Sequence, residues 1–237
     1  ANKEGNVRTR QLIIFTILFT GYATYALNRK AVSLVLPELI NSGLDKSDAG
    51  FVFLLSVKNH TKVFTIFAGS IISSQNIAYA ISKFVGGILS DQLSSRLLFG
   101  SGLFFSGLAT IVFGLSTDSV LIFSVLWFCN GFAQGVGWPS CAKVLRHWFS
   151  PDQFGTFWSL LSASANISGG VSPFIAAFIT LNFGWRTTLL AFGAVSIIMS
   201  LLGFLIVVDK PQDIGLPVIN PTATPVKSTN KKGTVFK

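Results

Sequence analysis

Two cations and three tyrosines carry most of the chemistry this chain can offer. Tyr22, Tyr25 and Arg29 are spaced by three and four residues, so a helix places them on one face. Gln75, Tyr79 and Lys83 are spaced by four and do the same in a second segment. Both groups lie within or at the ends of long apolar runs, where an ionisable residue is costly and marks a functional site. No acidic residue falls inside either span; Glu38, Asp45 and Asp48 come in the loop that follows the first. Buried cations without partners require an anion. A phosphate monoester brings about −1.5 to −2 charge and three acceptor oxygens. A guanidinium grips two of those oxygens in one plane, and an ammonium adds a compact charge. Tyrosine hydroxyls can bond the remaining oxygens or a sugar. Lys30 reads as an interfacial cation that reaches water along its aliphatic stem and marks the helix end.

Competing chemistries are thin. His60 lies in an unusual block described below, and His147 reads as a loop residue beside Arg146 and Trp148, with Asp152 nearby. Cys129 and Cys141 have no metal-ligand spacing, and no phosphate loop or nucleophile motif is present. The expectation is a protein with no metal site, no bound cofactor and no enzymatic activity.

The elements that must position the cations are membrane helices. Of 237 residues only 11% are charged and 50% are hydrophobic, with a mean hydropathy of +0.62. A soluble domain carries roughly 25% charged residues, so this chain cannot clothe a water-facing surface. Disorder and a disulfide-stapled secreted fold are excluded by 23 Phe and by only two Cys. Uncharged runs near the roughly 20 residues needed to cross a bilayer occur at Gln11–Asn28, Val63–Ser82 with Phe84–Ser90, Leu97–Thr117, Ser119–Ala142, Gln153–Trp185 and Thr187–Val208. The expected fold is all-α: a polytopic six-helix bundle over 11–208, with a cytosolic N-terminus at 1–10, a tight turn at Asp118 and a Pro-rich cytosolic linker or tail at 209–237. The first run is too long for a signal peptide and is followed by Asn28-Arg29-Lys30 rather than a cleavage site. With the N-terminus cytosolic, Lys3, Arg8, Arg10, Arg96, Lys143, Arg146, Lys210 and the tail lysines fall inside, against Lys46, Lys58, Lys62 and Arg186 outside. The net charge of +9 and pI of 9.8 are therefore a topology signal and not a nucleic-acid footprint. Gly131, Gly135 and Gly137, and Gly169, Gly170 and Pro173, read as helix-packing positions. Trp127, Trp138, Trp148, Trp158 and Trp185 are scattered along the chain, several near span ends as in an interfacial belt.

Longer stretches carry a resemblance. Gly87-Ile-Leu-Ser-Asp91-Gln-Leu-Ser-Ser-Arg96 resembles the short loop signature of the major facilitator superfamily, with Gln92 and Ser94 replacing its usual basic residue and glycine. Gly184-Trp185-Arg186 is also typical of it. Gly21-Tyr-Ala-Thr-Tyr25 with Asn28-Arg-Lys30, Ser73 to Phe84, and Trp127 to Cys141 resemble the organophosphate:phosphate antiporters of that superfamily. Leu44-Asp-Lys46, Asp91 to Arg96, Lys143-Val-Leu-Arg146 and Gln153-Phe-Gly-Thr156 are most similar to the glucose 6-phosphate exchangers of the endoplasmic reticulum within that family. The resemblance implies two six-helix bundles with the substrate between them, this chain being the N-terminal one. It makes Arg29 the first-helix phosphate-binding arginine, Lys83 the second-helix lysine, and Tyr22 and Tyr79 pocket tyrosines, with Tyr25 and Asn166 as further candidates. Gly87, Asp91 and Arg96 form the loop signature. Ala26 and Ala165 replace pocket residues of bacterial relatives, which weakens glycerol phosphate as the substrate.

The implied activity is exchange of glucose 6-phosphate for inorganic phosphate across the endoplasmic-reticulum membrane, without a cofactor. Functional coupling to a lumenal glucose-6-phosphatase is implied as well. The alternatives are a non-transporting phosphate-ester-binding membrane protein or sensor, or an antiporter of another sugar phosphate. Two features stand apart from the family pattern. The second bundle and its matching arginine are missing, so the chain is expected to be an incomplete half that does not transport alone. Residues 52–70 form an atypical insert with a formal glycosylation sequon at Asn59-His-Thr61, either a luminal loop or translated intron, the latter favoured on codon plausibility. The insert leaves two registers for the second helix, one ending near Lys83 and one running on through Asp91; the family pattern selects the latter.

Overall fold

The computed structural model describes residues 2–39, 60–116 and 119–220. The tight turn at Asp118, the loop with Asp45 and Asp48, and residues 52–59 of the insert lie outside the described residues. Among the described residues all regular structure is helical: α1 (Asn2–Leu39), α2 (His60–Gln92), α3 (Ser95–Leu115), α4 (Val120–Gln134), α5 (Gly137–Trp148), α6 (Pro151–Phe183) and α7 (Trp185–Ile206), followed by one 3-10 turn at Pro211–Ile214. The helices α4 and α5 continue one another across Gly135-Val136, so six long elements build the bundle. Among the described residues, five of them are long and apolar enough to cross a membrane; α2 carries Gln75, Asn76 and Lys83. The chain is a multi-pass membrane protein. Its outer faces carry Phe84, Leu121, Phe174, Leu181 and Leu205, each more than 70% exposed.

Several helices outrun their apolar runs. The first does not stop at Asn28 but continues to Leu39, so Arg29 and Lys30 lie inside it, not at its end. Nothing in Asn28-Arg29-Lys30 breaks a helix; Arg and Lys are good helix formers. The two registers expected for the second helix merge into one helix from His60 to Gln92. The helical path therefore includes residues 60–70 of the expected insert. Lys143, Arg146 and His147, expected in a loop, belong to α5, which runs to Trp148.

In pairs, α3 packs on α7, α2 on α4, and α1 on both α6 and α7. Close approach of α2 and α4 depends on glycine: a Cβ on Gly131 would strike the Gln75 carbonyl oxygen, and one on Gly135 would strike Ser82. Packing is not the role of Gly170, which faces open space; Gly169 lies against Lys30 Nζ instead. Trp127 and Trp148 are fully buried and belong to the core, not to an interfacial belt. Trp127 meets Phe113 edge-on at 5.6 Å, and the Trp148 indole N–H donates to Val208 O at 2.7 Å.

Turns are closed by local chemistry. Ser94 caps α3 by accepting from Leu97 N at 3.1 Å. The Asp209 carboxylate accepts from Ser95 N at 3.0 Å and Arg96 N at 2.7 Å, placing an anion at a helix N-terminus. Gly184 joins α6 to α7 at φ +86°, a conformation that a Cβ disfavours. Arg186 Nη1 donates to Gly114 O at 2.7 Å and Ser116 O at 3.0 Å, closing the end of α3. The segment after α7 is held on the bundle: Leu216 and Ile219 pack on the buried apolar cluster that includes Leu18, Trp148 and Phe149, and Asn220 Nδ2 donates to Arg146 O at 3.0 Å.

Candidate functional site

The cations sit where α1, α2 and α4 meet. Arg29 lies over the Tyr79 ring, its guanidinium carbon 3.9 Å from the centroid, and Lys83 Nζ is 4.7 Å from the same centroid. One aromatic ring thus holds both positive groups. Tyr22 lies close to Tyr79, and Trp138 packs on Tyr22 at 4.8 Å. Arg29 and Tyr79 are partly buried and Lys83 is exposed, so the cluster opens on one side. Among the described residues no carboxylate pairs with either cation. The nearest acidic residues along the same helices, Glu38 and Asp91, are nine and eight positions away, about 12–14 Å at 1.5 Å per residue.

Behind the cations stands a buried polar network that the sequence reading missed. Arg29 Nε donates to Gln134 Oε1 at 3.1 Å. Gln134 Nε2 donates to Asn130 Oδ1 at 2.6 Å, and Gln75 Nε2 donates to the same oxygen and to Arg29 O, both at 3.3 Å. Asn130 Nδ2 donates to Thr110 Oγ1 at 2.9 Å, and Thr110 donates in turn to Asn28 Oδ1 at 2.7 Å. Asn28 Nδ2 reaches Ser106 Oγ at 3.1 Å and Ser196 Oγ at 2.8 Å. Asn28, Gln75, Asn130 and Gln134 are each 3% exposed or less. The network joins α1, α2, α3, α4 and α7 and spends no charge, so both cations keep theirs for a ligand.

Other candidate residues lie elsewhere. Tyr25 shares the helix with Tyr22 but is fully buried, and its hydroxyl donates to Phe99 O at 2.9 Å. Its ring occupies space left by Gly102 and Gly137; it is a core residue, not part of the cation cluster. Asn166 is exposed on α6 and is not among the residues the cluster touches. Lys30 does not snorkel at a helix end; its ammonium lies over Gly169 on α6. Gly87 and Asp91 stand on the last turns of α2, and Arg96 on the first turn of α3, around the short turn at Leu93-Ser94. Asp91 and Arg96 are exposed there.

A membrane bundle of six long helices, with a cation pair on its open face, has the architecture of a transporter unit. The sequence profile of the Major Facilitator Superfamily matches residues 18–233, and the chain belongs to that superfamily. A probable hexose phosphate transport protein of Chlamydia pneumoniae is 37% identical over 207 residues, covering 87% of this chain and 41% of the relative. The membrane sensor protein UhpC of Escherichia coli is 35% identical over 211 residues, 89% of this chain and 43% of that protein. A glycerol-3-phosphate transporter of Bacillus subtilis is 34% identical over 213 residues, 88% and 44%. The chain therefore spans less than half the length of these relatives. Among solved structures, a bacterial homologue of the human lysosomal transporter Spinster, inward-facing and unoccupied, superposes with a TM-score of 0.67 at 13% identity, over 85% of this chain and 44% of that one. That likeness is one of fold.

Proposed function

We propose that this chain supplies the phosphate-binding half of a sugar-phosphate exchanger, and that the parent activity is exchange of glucose 6-phosphate for inorganic phosphate across the endoplasmic-reticulum membrane. The observation that carries the reading is the placement of Arg29 and Lys83 on one tyrosine ring with no carboxylate paired to them among the described residues. Such a pair suits a doubly charged phosphate: Arg29 offers a planar fork, Lys83 a compact charge, and Tyr22 and Tyr79 hydroxyl donors. The relatives named as hexose phosphate and glycerol-3-phosphate transporters support the ligand class. The Gln134 contact fixes the guanidinium through its Nε and leaves its terminal nitrogens for the ligand.

In this reading phosphate and sugar phosphate compete for the same cations, and the charge that binds one on one side of the membrane is matched by the other on return. A second bundle completes the site, since carriers of this architecture work by rocking one bundle against another. The N-terminus and the segment after α7 are cytosolic by the distribution of Lys and Arg. Gly87, Asp91 and Arg96 form the cytosolic turn on which α2 and α3 hinge, and a lumenal phosphatase that consumes the sugar phosphate is the functional partner.

The test is binding of glucose 6-phosphate to the purified chain in detergent. Saturable binding is expected, and Arg29→Gln should weaken it at least tenfold; unchanged binding in that variant sinks the assignment. A second reading, a phosphate-ester sensor, is favoured by the likeness to a membrane sensor protein. Uptake of labelled sugar phosphate into phosphate-loaded proteoliposomes, measured on this chain joined to a second bundle, separates the two. Flux supports exchange, whereas binding without flux supports sensing.

A further inference from the structure

A cationic cavity lies apart from the Arg29 and Lys83 cluster. It has a volume of about 1010 Å³ and forms where the end of α2, the last turns of α5, the start of α6 and the segment after α7 converge. Among the described residues that line it, Lys143, Arg146 and Lys210 stand against one carboxylate, that of Asp91. The carboxylate of nearby Asp209 is taken by the Ser95 and Arg96 amides. Lys143 Nζ donates to Ser90 O and to Leu93 O, which anchors the ammonium beside the cavity without neutralising it. Arg146 is exposed, and its backbone carbonyl is pinned by Asn220. His147 is 8% exposed, and its Nδ1 lies 2.7 Å from Lys143 O. A carbonyl can only accept, so the proton sits on Nδ1 and Nε2 is the ring's remaining polar atom.

Ring contacts lead from the cavity toward the inner site. Phe154 and Trp158 line it and stack on each other at 5.6 Å. Trp158 meets Trp138 at 4.5 Å, Trp138 meets Tyr22 at 4.8 Å, and Tyr22 adjoins Tyr79 beneath Arg29. A row of aromatic side chains thus leads from the outer cations to Tyr22, beside the inner ones.

We propose that this cavity is an outer anion site that takes the phosphate group of a phosphate monoester, with Arg146 and Lys210 as its principal ligands. It collects anions at the mouth of the bundle and raises their concentration before they reach Arg29 and Lys83, as a cationic cleft with low-dielectric walls does. The naming of a soluble monoester rests on the reading given under Proposed function. The phosphate chemistry itself is shared by the headgroup of an anionic lipid.

The experiment follows the His147 ring signals by NMR in the purified chain, assigned by their loss in His147→Gln, while inorganic phosphate is added. The signals are expected to shift saturably in the unaltered chain and in Arg29→Gln. Arg146→Gln with Lys210→Gln should weaken that response at least tenfold, and Arg146→Lys should largely restore it. Titration in nanodiscs with and without phosphatidic acid separates the sources: a shift with free phosphate assigns the site to soluble esters, and a shift only with the lipid assigns it to a headgroup. Signals unmoved by either ligand overturn the proposal. A His147 response that survives in Arg29→Gln, while total phosphate binding is also unchanged there, overturns the inner assignment and leaves the outer one standing.

Discussion

Arg29 is aimed by Gln134. The guanidinium Nε donates to the Gln134 side-chain oxygen at 3.1 Å, and the other end of the same amide is spent on Asn130 at 2.6 Å. A neutral partner holds the cation in place without cancelling its charge. Gln134→Glu should therefore be more damaging than its small change in shape suggests. A carboxylate would occupy the guanidinium and compete with an anionic ligand, and a hydrogen bond to a charged group contributes about 1.5–3 kcal/mol. Phosphate binding to the purified chain is expected to weaken by at least tenfold, with helical circular dichroism retained.

The Gly131 and Gly135 positions predict a contrast with Gly170. A methyl group at Gly131 would collide with the Gln75 backbone, which cannot swing aside. Gly131→Ala should cost about 1–3 kcal/mol of stability, as overpacking does, and should lower the thermal midpoint in detergent. Gly170→Ala meets open space on a regular helix; it should be neutral or stabilise by about 0.5–1 kcal/mol.

Asn28 predicts a stability effect inside the membrane. Its side chain makes three hydrogen bonds, to Ser106, Ser196 and Thr110, and is fully buried. Asn28→Leu leaves those hydroxyls to find other partners, at about 1–3 kcal/mol for a buried polar group left unpaired. The expected readout is a lower thermal midpoint with a smaller loss of phosphate affinity than Arg29→Gln gives.

Arg186 predicts a local effect. It closes the last turn of α3 through Gly114 and Ser116 and lies 4.4 Å from the Trp185 ring centroid. Arg186→Gln should speed hydrogen exchange of amides near residues 110–116 and leave phosphate binding within about twofold. An unchanged exchange pattern would remove the capping role.

The spacing of Tyr22 with Arg29 and of Tyr79 with Lys83 was enough to name the cation cluster, because helical periodicity and the cost of buried charge are both local properties of a sequence. Gln134, Asn130 and Asn28 were invisible as a group because they come from different helices and meet only after packing. Tyr25 shows the limit from the other side: it obeys the same spacing as Tyr22, but glycines on α3 and α5 draw its ring into the core. Charge misplaced the ends of helices. Lys143, Arg146 and His147 resembled loop residues, yet α5 buries one face and lets the cations line a cavity with the other. Trp127 and Trp148 had the composition of a belt but the burial of a core.

Asp209 reaches back to the first turn of α3, and Asn220 holds Arg146 on α5. The stretch that follows the last long helix is therefore fastened at both ends to different parts of the bundle. Displacement of α3 or α5 would be passed along it as by a bracket bolted at two points.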